Sequence, residues 1–269
     1  MFIKDYLSFF YGIKYCDIFE DYDSFLIVTD TNKYRLHVVY NVDDIIYLYN
    51  NINNSYDKIV LNNYKEVISF FDNNYFVLVC LNNHDSDDLA FIPIILSYMK
   101  DAYWLDKWRE RYFYYENISS TLYSISEIIY ESIDYYLGLF YLAIDYYSKV
   151  DSCVGKASFV HRYFNKKDYY DPCILKVDVI EREFSEYIKY LFLIEKKDFL
   201  YIKNLIDENI NSYNKELLFS RLVYPNYYFD ILDEILLEKK DPSELKDIVM
   251  MHDEYERFLE YIVNHYLIV

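Results

Sequence analysis

A short acidic stretch has the residue types of a metal site. Asp85, Asp87 and Asp88 follow His84 inside the polar segment Asn82–Leu89, and carboxylates are the ligands that Ca²⁺ prefers. A calcium-binding loop also needs a glycine for its sharp turn, and none follows these acids. The segment is therefore predicted to be a solvated hinge.

Histidine and cysteine spacing argues against a zinc site. His252 is followed by Asp253 and Glu254, but the second histidine of a zinc-protease helix is missing. The four cysteines are scattered, at Cys16, Cys80, Cys153 and Cys173. Without a CxxC pair they predict neither a zinc site nor a disulfide framework, and they fit a reducing compartment.

Composition excludes several classes of partner. The 269 residues carry a net charge of −18, and 54% of them are hydrophobic, which is enough for a large core. An acidic surface without a Lys/Arg-rich run repels nucleic acid and anionic membranes. Apolar runs such as Phe76–Leu81 are too short to span a bilayer, and Lys4 and Asp5 interrupt any secretory signal. Synthesis in the cytoplasm and partners that are other proteins are therefore expected.

Tyrosine is unusually frequent, with 36 copies. Two interpretations stay open. The first is that AT-rich codon usage explains the frequency, since Tyr, Asn, Ile and Lys are all common here. The second is that surface tyrosines serve as cross-linking or adhesive groups in an assembly.

The first third of the chain has the pattern of strands around one helix. Asn41 is predicted to cap this helix, Val42–Asn51, in which apolar residues recur at helical spacing. The predicted strands are Phe25–Thr29, Tyr34–Tyr40, Glu66–Phe71 and Asn74–Leu81.

From Ala90 onward the pattern predicts helices. The predicted helices are Ser124–Tyr147, Glu183–Glu195, Phe199–Asn209 and Glu254–Leu267. Two strand-like pieces, Ala157–Val160 and Ile174–Val179, flank a polar loop. The chain thus reads as an α+β protein with a β-rich lobe at 1–82, a linker at 83–100 and a helical lobe at 101–269.

Two segments resemble a known family. Pro172–Lys189 reads PCILKVDVIEREFSEYIK, and Leu217–Phe229 reads LLFSRLVYPNYYF. Both are similar to the CotS/YutH group of bacterial spore-coat proteins, which are relatives of aminoglycoside and choline phosphotransferases. The matching residues are Pro172, Asp178, Arg182, Glu183, Glu186, Tyr187 and Ile188, and then Arg221, Leu222, Pro225, Tyr228 and Phe229. The resemblance implies a two-lobed, protein-kinase-like fold.

The resemblance also implies where catalytic groups would lie. His37 stands where active relatives place a lysine on the nucleotide phosphates. His161 matches the histidine of the catalytic loop, but Tyr163 replaces the aspartate that accepts the substrate proton. Asp168 replaces a metal-binding asparagine, and Asp178 matches the second metal-binding aspartate. Asp168 and Asp178 are the residues that would hold a divalent ion, and hydrogen bonding within the loop is the alternative role for Asp178.

Phosphoryl transfer needs more than these residues supply. A phosphate cradle requires glycines, and the chain has only Gly12, Gly138 and Gly155, none of them between the first strands. Tyr163, a phenol with an ordinary pKa of ~10, is a poor base. The expectation is a catalytically silent, pseudokinase-like protein without a cofactor. It would have a structural or interaction role in the spore coat or its assembly.

Two alternatives stay open at this point. One is a small-molecule phosphotransferase with a rearranged active site, and the other is a regulatory pseudokinase that binds nucleotide. Mg²⁺ and ATP belong only to these alternatives.

Three further residues are expected to have structural roles. Arg182 and Glu186 form an i,i+4 pair that supports a helix, or Arg182 anchors the loop that carries Asp178. Arg221 is expected to be a buried arginine paired with an acid. Trp104 and Trp108 share a predicted helical face and are expected to be core residues.

Overall fold

The chain forms two compact units. The computed structural model describes residues 3–21, 24–52, 54–82, 84, 91, 93–101, 104–150 and 154–267. The first unit contains Met1–Ile94 and His161–Lys176, and the second contains Ile95–Val160 and Val177–Val269. This division differs from the contiguous lobes expected from the sequence, because His161–Lys176 groups with the N-terminal residues.

The predicted linker lies partly outside the described residues. Asp85, Asp87 and Asp88, and with them the calcium interpretation, fall on positions that the structure does not describe, as does Cys153. The C-terminal part of the linker forms a strand, Ile94–Asp101. The prediction that the chain is helical from Ala90 onward was wrong over this strand, because pairing with another strand decides its conformation.

An antiparallel sheet and two helices make up the N-terminal part of the first unit. Its elements are α1 Ile3–Tyr11, β1 Asp17–Asp21, β2 Ser24–Val28, β3 Lys33–Val39, α2 Val42–Asn51, β4 Lys58–Val60, β5 Ser69–Phe71 and β6 Asn74–Leu81. The strand order is β1-β2-β3-β6-β4, and β5 pairs with β6. Neighbouring strands are antiparallel throughout.

The core of the first unit lies between α1 and one face of the sheet. Tyr6 and Leu7 of α1 are buried against Ile27, Leu36 and Leu78. Side chains alternate between the two faces of a strand. Because Leu36 faces this core, its neighbours in β3 project from the opposite face of the sheet.

Local capping and turn chemistry explain two of the boundaries. Helix α2 begins at Val42 as predicted, and the Asn41 side chain accepts a hydrogen bond from the Asp44 backbone N–H, at 3.4 Å. Asp72 and Asn73 join β5 to β6 with φ angles of 48° and 61°. Positive φ at both turn residues matches the twist of a two-residue hairpin.

Helices dominate the second unit. They are α3 Leu105–Leu122, α4 Glu127–Lys149, α5 Ile180–Lys189, α6 Phe199–Asn209, α7 Lys215–Val223, α8 Asn226–Leu236, α9 Lys246–Met250 and α10 His252–Ile262. Single π-helical segments continue α5 and α10, at Tyr190–Ile194 and Val263–Leu267. Strands β7 Ile94–Asp101, β8 Val154–His161 and β9 Leu175–Val179 form a three-stranded sheet in the order β7-β8-β9.

Helix α7 is the centre of the helical packing. It packs against α4 and α5, and every residue from Leu217 to Val223 is buried. Helix α4 presents the predicted apolar stripe, including Ile129, Ile133 and Phe140, which are fully buried. None of the helices in the described part of the chain is long and apolar enough to cross a membrane.

Candidate functional site

A buried arginine in the first unit binds two acids. Arg35 lies on β3 and is 4% exposed. Its Nη1 group donates to the carboxylates of Asp168 and of Asp171, the latter at 3.2 Å. Both acids lie in the segment between β8 and β9. Burial opposes the charge of Arg35, but the two carboxylates outweigh it and raise the pKa of the guanidinium.

Asp171 is the central acceptor of this cluster. Its carboxylate is 1% exposed and lies 2.8 Å from His37 Nε2. The Cys173 backbone N–H donates to its other oxygen at 2.9 Å, which caps the short 3₁₀ turn Pro172–Ile174. Burial alone would raise the pKa of Asp171, but His37, the Cys173 N–H and Arg35 together lower it. The carboxylate is therefore ionised at neutral pH.

The period of a strand explains how β3 supplies two members of the cluster. Arg35 and His37 are two residues apart, so they lie on the same face of the sheet, opposite Leu36. The family resemblance pointed to His37 only as a degenerate position where active relatives have a lysine, and no prediction from the sequence pointed to Arg35, Asp171 and Cys173 as its neighbours. The available signals were the two-residue period of β3 and the Asp-Pro pair at Asp171, which is typical of a capped turn.

His161 and Tyr163 differ in their surroundings. His161 is 1% exposed, donates from Nε2 to the Tyr169 carbonyl at 2.8 Å, and stacks on the Tyr169 ring. Tyr163 is 52% exposed, and burial together with Asp168 and Asp171 raises its pKa. The phenol therefore stays protonated at neutral pH.

His84, which the sequence placed in the hinge, is bound within the first unit. Its Nε2 lies 2.9 Å from an Asp57 oxygen, and its ring stacks on Tyr170 at a centroid distance of 3.6 Å. Asp57 also binds the Tyr170 carbonyl through its backbone N–H. His84 is thus part of a hydrogen-bonded link between the β-sheet region and the segment His161–Lys176.

In the second unit, Asp178 is enclosed by donors. It is 1% exposed at the end of β9, and one carboxylate oxygen accepts from Trp104 Nε1 at 2.8 Å and from Arg182 Nη1 at 3.1 Å. The other oxygen accepts from the Val179 N–H. Of the two roles considered for Arg182, the geometry matches the anchor for Asp178.

Glu186 belongs to a separate buried cluster. It pairs with Lys189 at 2.6 Å and accepts from the Asn226 side chain at 2.8 Å. Lys189 is 1% exposed and also donates to Asn226 and to the Tyr224 carbonyl. Burial lowers the pKa of Lys189, although Glu186 opposes this shift. These contacts join the end of α5 to the start of α8.

Arg221 is buried on α7 without an ion pair to the described residues. It is 4% exposed, and its Nε and Nη2 atoms have no hydrogen-bond partner in the described part of the chain. The guanidinium lies 6.0 Å from the Trp104 ring and 5.6 Å from the Trp108 ring. Arg221 thus lies against two aromatic faces, and it lowers the pKa of Glu181 electrostatically without a direct ion pair among the described residues. Trp108 is a core residue, as expected, and stacks on Tyr224.

The acids predicted to hold a divalent ion are both occupied by N–H donors. Asp168 binds Arg35, and Asn165 donates to its second oxygen at 3.3 Å. Asp178, in the other unit, binds Trp104 and Arg182. Mg²⁺ prefers a shell of oxygen ligands, whereas the hydrogen-bond partners of these two carboxylates are nitrogen donors. The residues present at these two positions therefore fit a magnesium–nucleotide complex poorly.

The glycines do not supply a phosphate cradle. Gly12, with φ of 71°, follows α1, and Gly138 and Gly155 lie within α4 and β8. The link between β1 and β2 contains Tyr22 and Asp23 and no glycine.

Comparison with known proteins gives partial sequence similarity to one spore protein. Endospore coat-associated protein YutH of Bacillus subtilis strain 168 is 26% identical over 151 residues, which is 48% of this chain and 44% of the relative. The match thus spans less than half of that relative's length. No family model matches the chain.

Solved structures give similarity over nearly the whole chain. The aminoglycoside phosphotransferase of Alicyclobacillus acidocaldarius superposes with a TM-score of 0.63 and 8% identity, covering 91% of each chain. The AMP-bound spectinomycin phosphotransferase APH(9)-Ia gives 0.63 and 13% identity, covering 98% of each chain. At such low identity the similarity concerns the fold alone. The chain therefore has the α+β, protein-kinase-like fold of the aminoglycoside phosphotransferases, and it has weak, partial homology to a spore-coat-associated protein.

Proposed function

We propose that this chain is a catalytically silent protein of kinase-like fold that acts as a structural or interaction component of the spore coat or its assembly. The partial similarity to YutH supports the spore-coat setting. The cluster around Arg35 supports the absence of phosphoryl transfer.

The direct pairing of Arg35 with Asp168 and Asp171 is the observation that carries the proposal. Phosphoryl transfer requires a cation on the nucleotide phosphates and carboxylates on the metal ions. Here the Arg35 guanidinium of β3 and the two acids between β8 and β9 neutralise each other within one unit. Arg35 and Asp171 are buried, and the Asp168 side chain is 14% exposed. Separating Arg35 from Asp171 to admit a nucleotide would leave uncompensated buried charges, which typically costs about 3–5 kcal/mol.

The missing base is a second, independent support. A positioned base contributes about 10²–10⁴-fold to a reaction rate. By the family resemblance Tyr163 corresponds to the position of that base, and burial together with Asp168 and Asp171 raises the pKa of its phenol.

A thermal-shift titration with ATP and Mg²⁺ tests the proposal. A ligand at about 100 times its dissociation constant stabilises a protein by about 2.7 kcal/mol, which shifts the melting temperature by several degrees. We expect no shift for this chain at millimolar ATP. Sodium chloride of equal ionic strength is the control, and an active aminoglycoside phosphotransferase verifies that the assay detects binding.

Three outcomes separate the candidate functions. A shift without ATP turnover would replace the proposal with a nucleotide-binding regulator. Turnover that disappears in Asp178→Ala would show a phosphotransferase with rearranged groups. For the coat setting, a fluorescent fusion made in a spore-forming host should collect around the developing spore, and a fusion that stays dispersed in the mother cell would contradict that setting.

A further inference from the structure

Three different metal-ligating side chains converge in the first unit. The imidazole of His37, the carboxylate of Asp171 and the thiol of Cys173 place one ligand atom each within 4.8 Å of one another. His37 comes from β3, while Asp171 and Cys173 flank Pro172 in the turn before β9. The sequence predicted no zinc site because it has no CxxC pair. Local cysteine spacing does not connect residues that are 134 positions apart, as His37 and Asp171 are.

The three ligand atoms are close enough together for a tetrahedral zinc site to form after small side-chain movements. Zn²⁺ binds His nitrogen and Asp oxygen at about 2.0–2.2 Å and Cys sulfur at about 2.3 Å, so tetrahedral ligand atoms lie roughly 3.3–3.6 Å apart. His37 Nε2 and the nearer Asp171 oxygen are already 2.8 Å apart. Side-chain rotations that move ligand atoms by about 1 Å therefore suffice to enclose an ion.

A hydrogen bond already fixes the orientation of the Asp171 carboxylate, as a metal ligand requires. Its second oxygen is fixed by the Cys173 backbone N–H at 2.9 Å, which leaves the oxygen that faces His37 to bind a metal. Hydrogen bonds of this kind orient the ligands in known metal sites. Arg35 also approaches that oxygen, at 3.2 Å, but it has a second carboxylate partner in Asp168 and so remains neutralised when Asp171 turns to the metal.

The geometry points to a zinc site formed by His37, Asp171 and Cys173, with a fourth position for water, that fastens β3 to the turn before β9. Binding replaces the S–H proton of Cys173 with zinc and releases that proton to solvent. His37 binds through Nε2, so its ring proton lies on Nδ1. This inference concerns the first unit alone and does not depend on the proposed coat function.

Cobalt titration of the full chain tests the site, since Co²⁺ reports a thiolate ligand by a charge-transfer band in the near ultraviolet. The band should appear with Co²⁺ and disappear when Zn²⁺ is added. It should persist in a variant with Cys16, Cys80 and Cys153 all changed to Ser, which retains only Cys173. It should be absent in Cys173→Ser.

His37→Gln provides a second, independent variant. It should weaken zinc binding in calorimetry by at least about 100-fold, because even outer partners of metal ligands contribute about 10–100-fold. Circular dichroism tests whether each variant is folded. If Cys173→Ser is unfolded, the single-cysteine variant and His37→Gln test the zinc site instead. A band that survives in Cys173→Ser, a single-cysteine variant without a band, or unchanged zinc affinity in His37→Gln would overturn the inference.

Discussion

At Arg35, a buried guanidinium meets two carboxylates, and its positive charge lowers the cost of burying both of them. Such a group is stable as a whole, but removal of one partner leaves an unpaired buried charge. Glu181 on α5 shows the opposite situation. It is 3% exposed, one oxygen accepts from the Asn214 N–H at 3.0 Å, and the other has no partner among the described residues.

Glu181 should make the protein less stable as the pH rises. Burial raises the pKa of Glu181 above its usual value of 4.5, although the Asn214 N–H and Arg221 oppose this. Glu181 loses its proton at a lower pH in the unfolded state than in the folded state. Its contribution to the free energy of unfolding is therefore fully present below pH 4.5 and is lost as the pH rises through the pKa of the folded state. Glu181→Gln should therefore gain stability relative to the wild type between pH 4.5 and 7 in urea unfolding.

A suitable control for Glu181→Gln is Glu208→Gln, an exposed position on α6. We expect this control to change the free energy of unfolding by less than about 0.5 kcal/mol. A stability difference for Glu181→Gln that is independent of pH, or that has the opposite slope, would contradict the prediction.

Elements with their own local signals were predictable from the sequence. Helix α6 was predicted at Phe199–Asn209 and is found there, with the Asp198 side chain accepting from the Tyr201 N–H at its start. Strand β7 was missed because its partner strand, not its own pattern, decides its conformation. Helix α1 was also missed, although it supplies Tyr6 and Leu7 to the core.

The cluster around Arg35 was not predictable in the same way. The pairing of Arg35 with Asp171 joins residues 136 positions apart, and no local pattern specifies such a contact. The family resemblance drew attention to Asp168 in this segment, but the partner that it implied was a metal ion, and the structure places a guanidinium there.

Two glycines in regular elements should respond oppositely to alanine. A Cβ atom at Gly155 on β8 would lie 2.8 Å from Glu181 Oε2 and 2.9 Å from Val179 Cγ1, whereas nothing lies within 4 Å at Gly138 on α4. Gly155→Ala should destabilise the protein by about 1–3 kcal/mol through overpacking. Gly138→Ala, the matched control, should stabilise it by about 0.5–1 kcal/mol, because glycine is costly inside a helix.

Chemical unfolding of both glycine variants measures the two effects. If Gly155→Ala and Gly138→Ala changed the free energy of unfolding equally and in the same direction, β8 and its neighbours would accommodate the added methyl group.

At the scale of the whole molecule, the excess of acidic residues sets the long-range electrostatics. The net charge is −18, and such self-repulsion destabilises the compact state. The fold nevertheless superposes on phosphotransferases with 8–13% identity. The fold is therefore shared although few residues are identical.

Salt should stabilise this protein at neutral pH. Raising the ionic strength from about 0.01 M to 0.15 M shortens the screening length from about 30 Å to 8 Å. We expect this to add roughly 1 kcal/mol, or about 2–4 °C in melting temperature. Near pH 5, close to the isoelectric point of about 4.6, the same salt step should have a much smaller effect. An equal response at both pH values would show that net charge is not the cause.

The division of the first unit along the chain has a consequence for synthesis. This unit needs Met1–Ile94 together with His161–Lys176, and the acids that compensate Arg35 belong to the later segment. On the ribosome these strands emerge before α3 and α4, and Arg35 lacks its counter-charges until His161–Lys176 follows. A product truncated after α4 would be left in that state, so the early strands depend for completion on a stretch that is translated long after them.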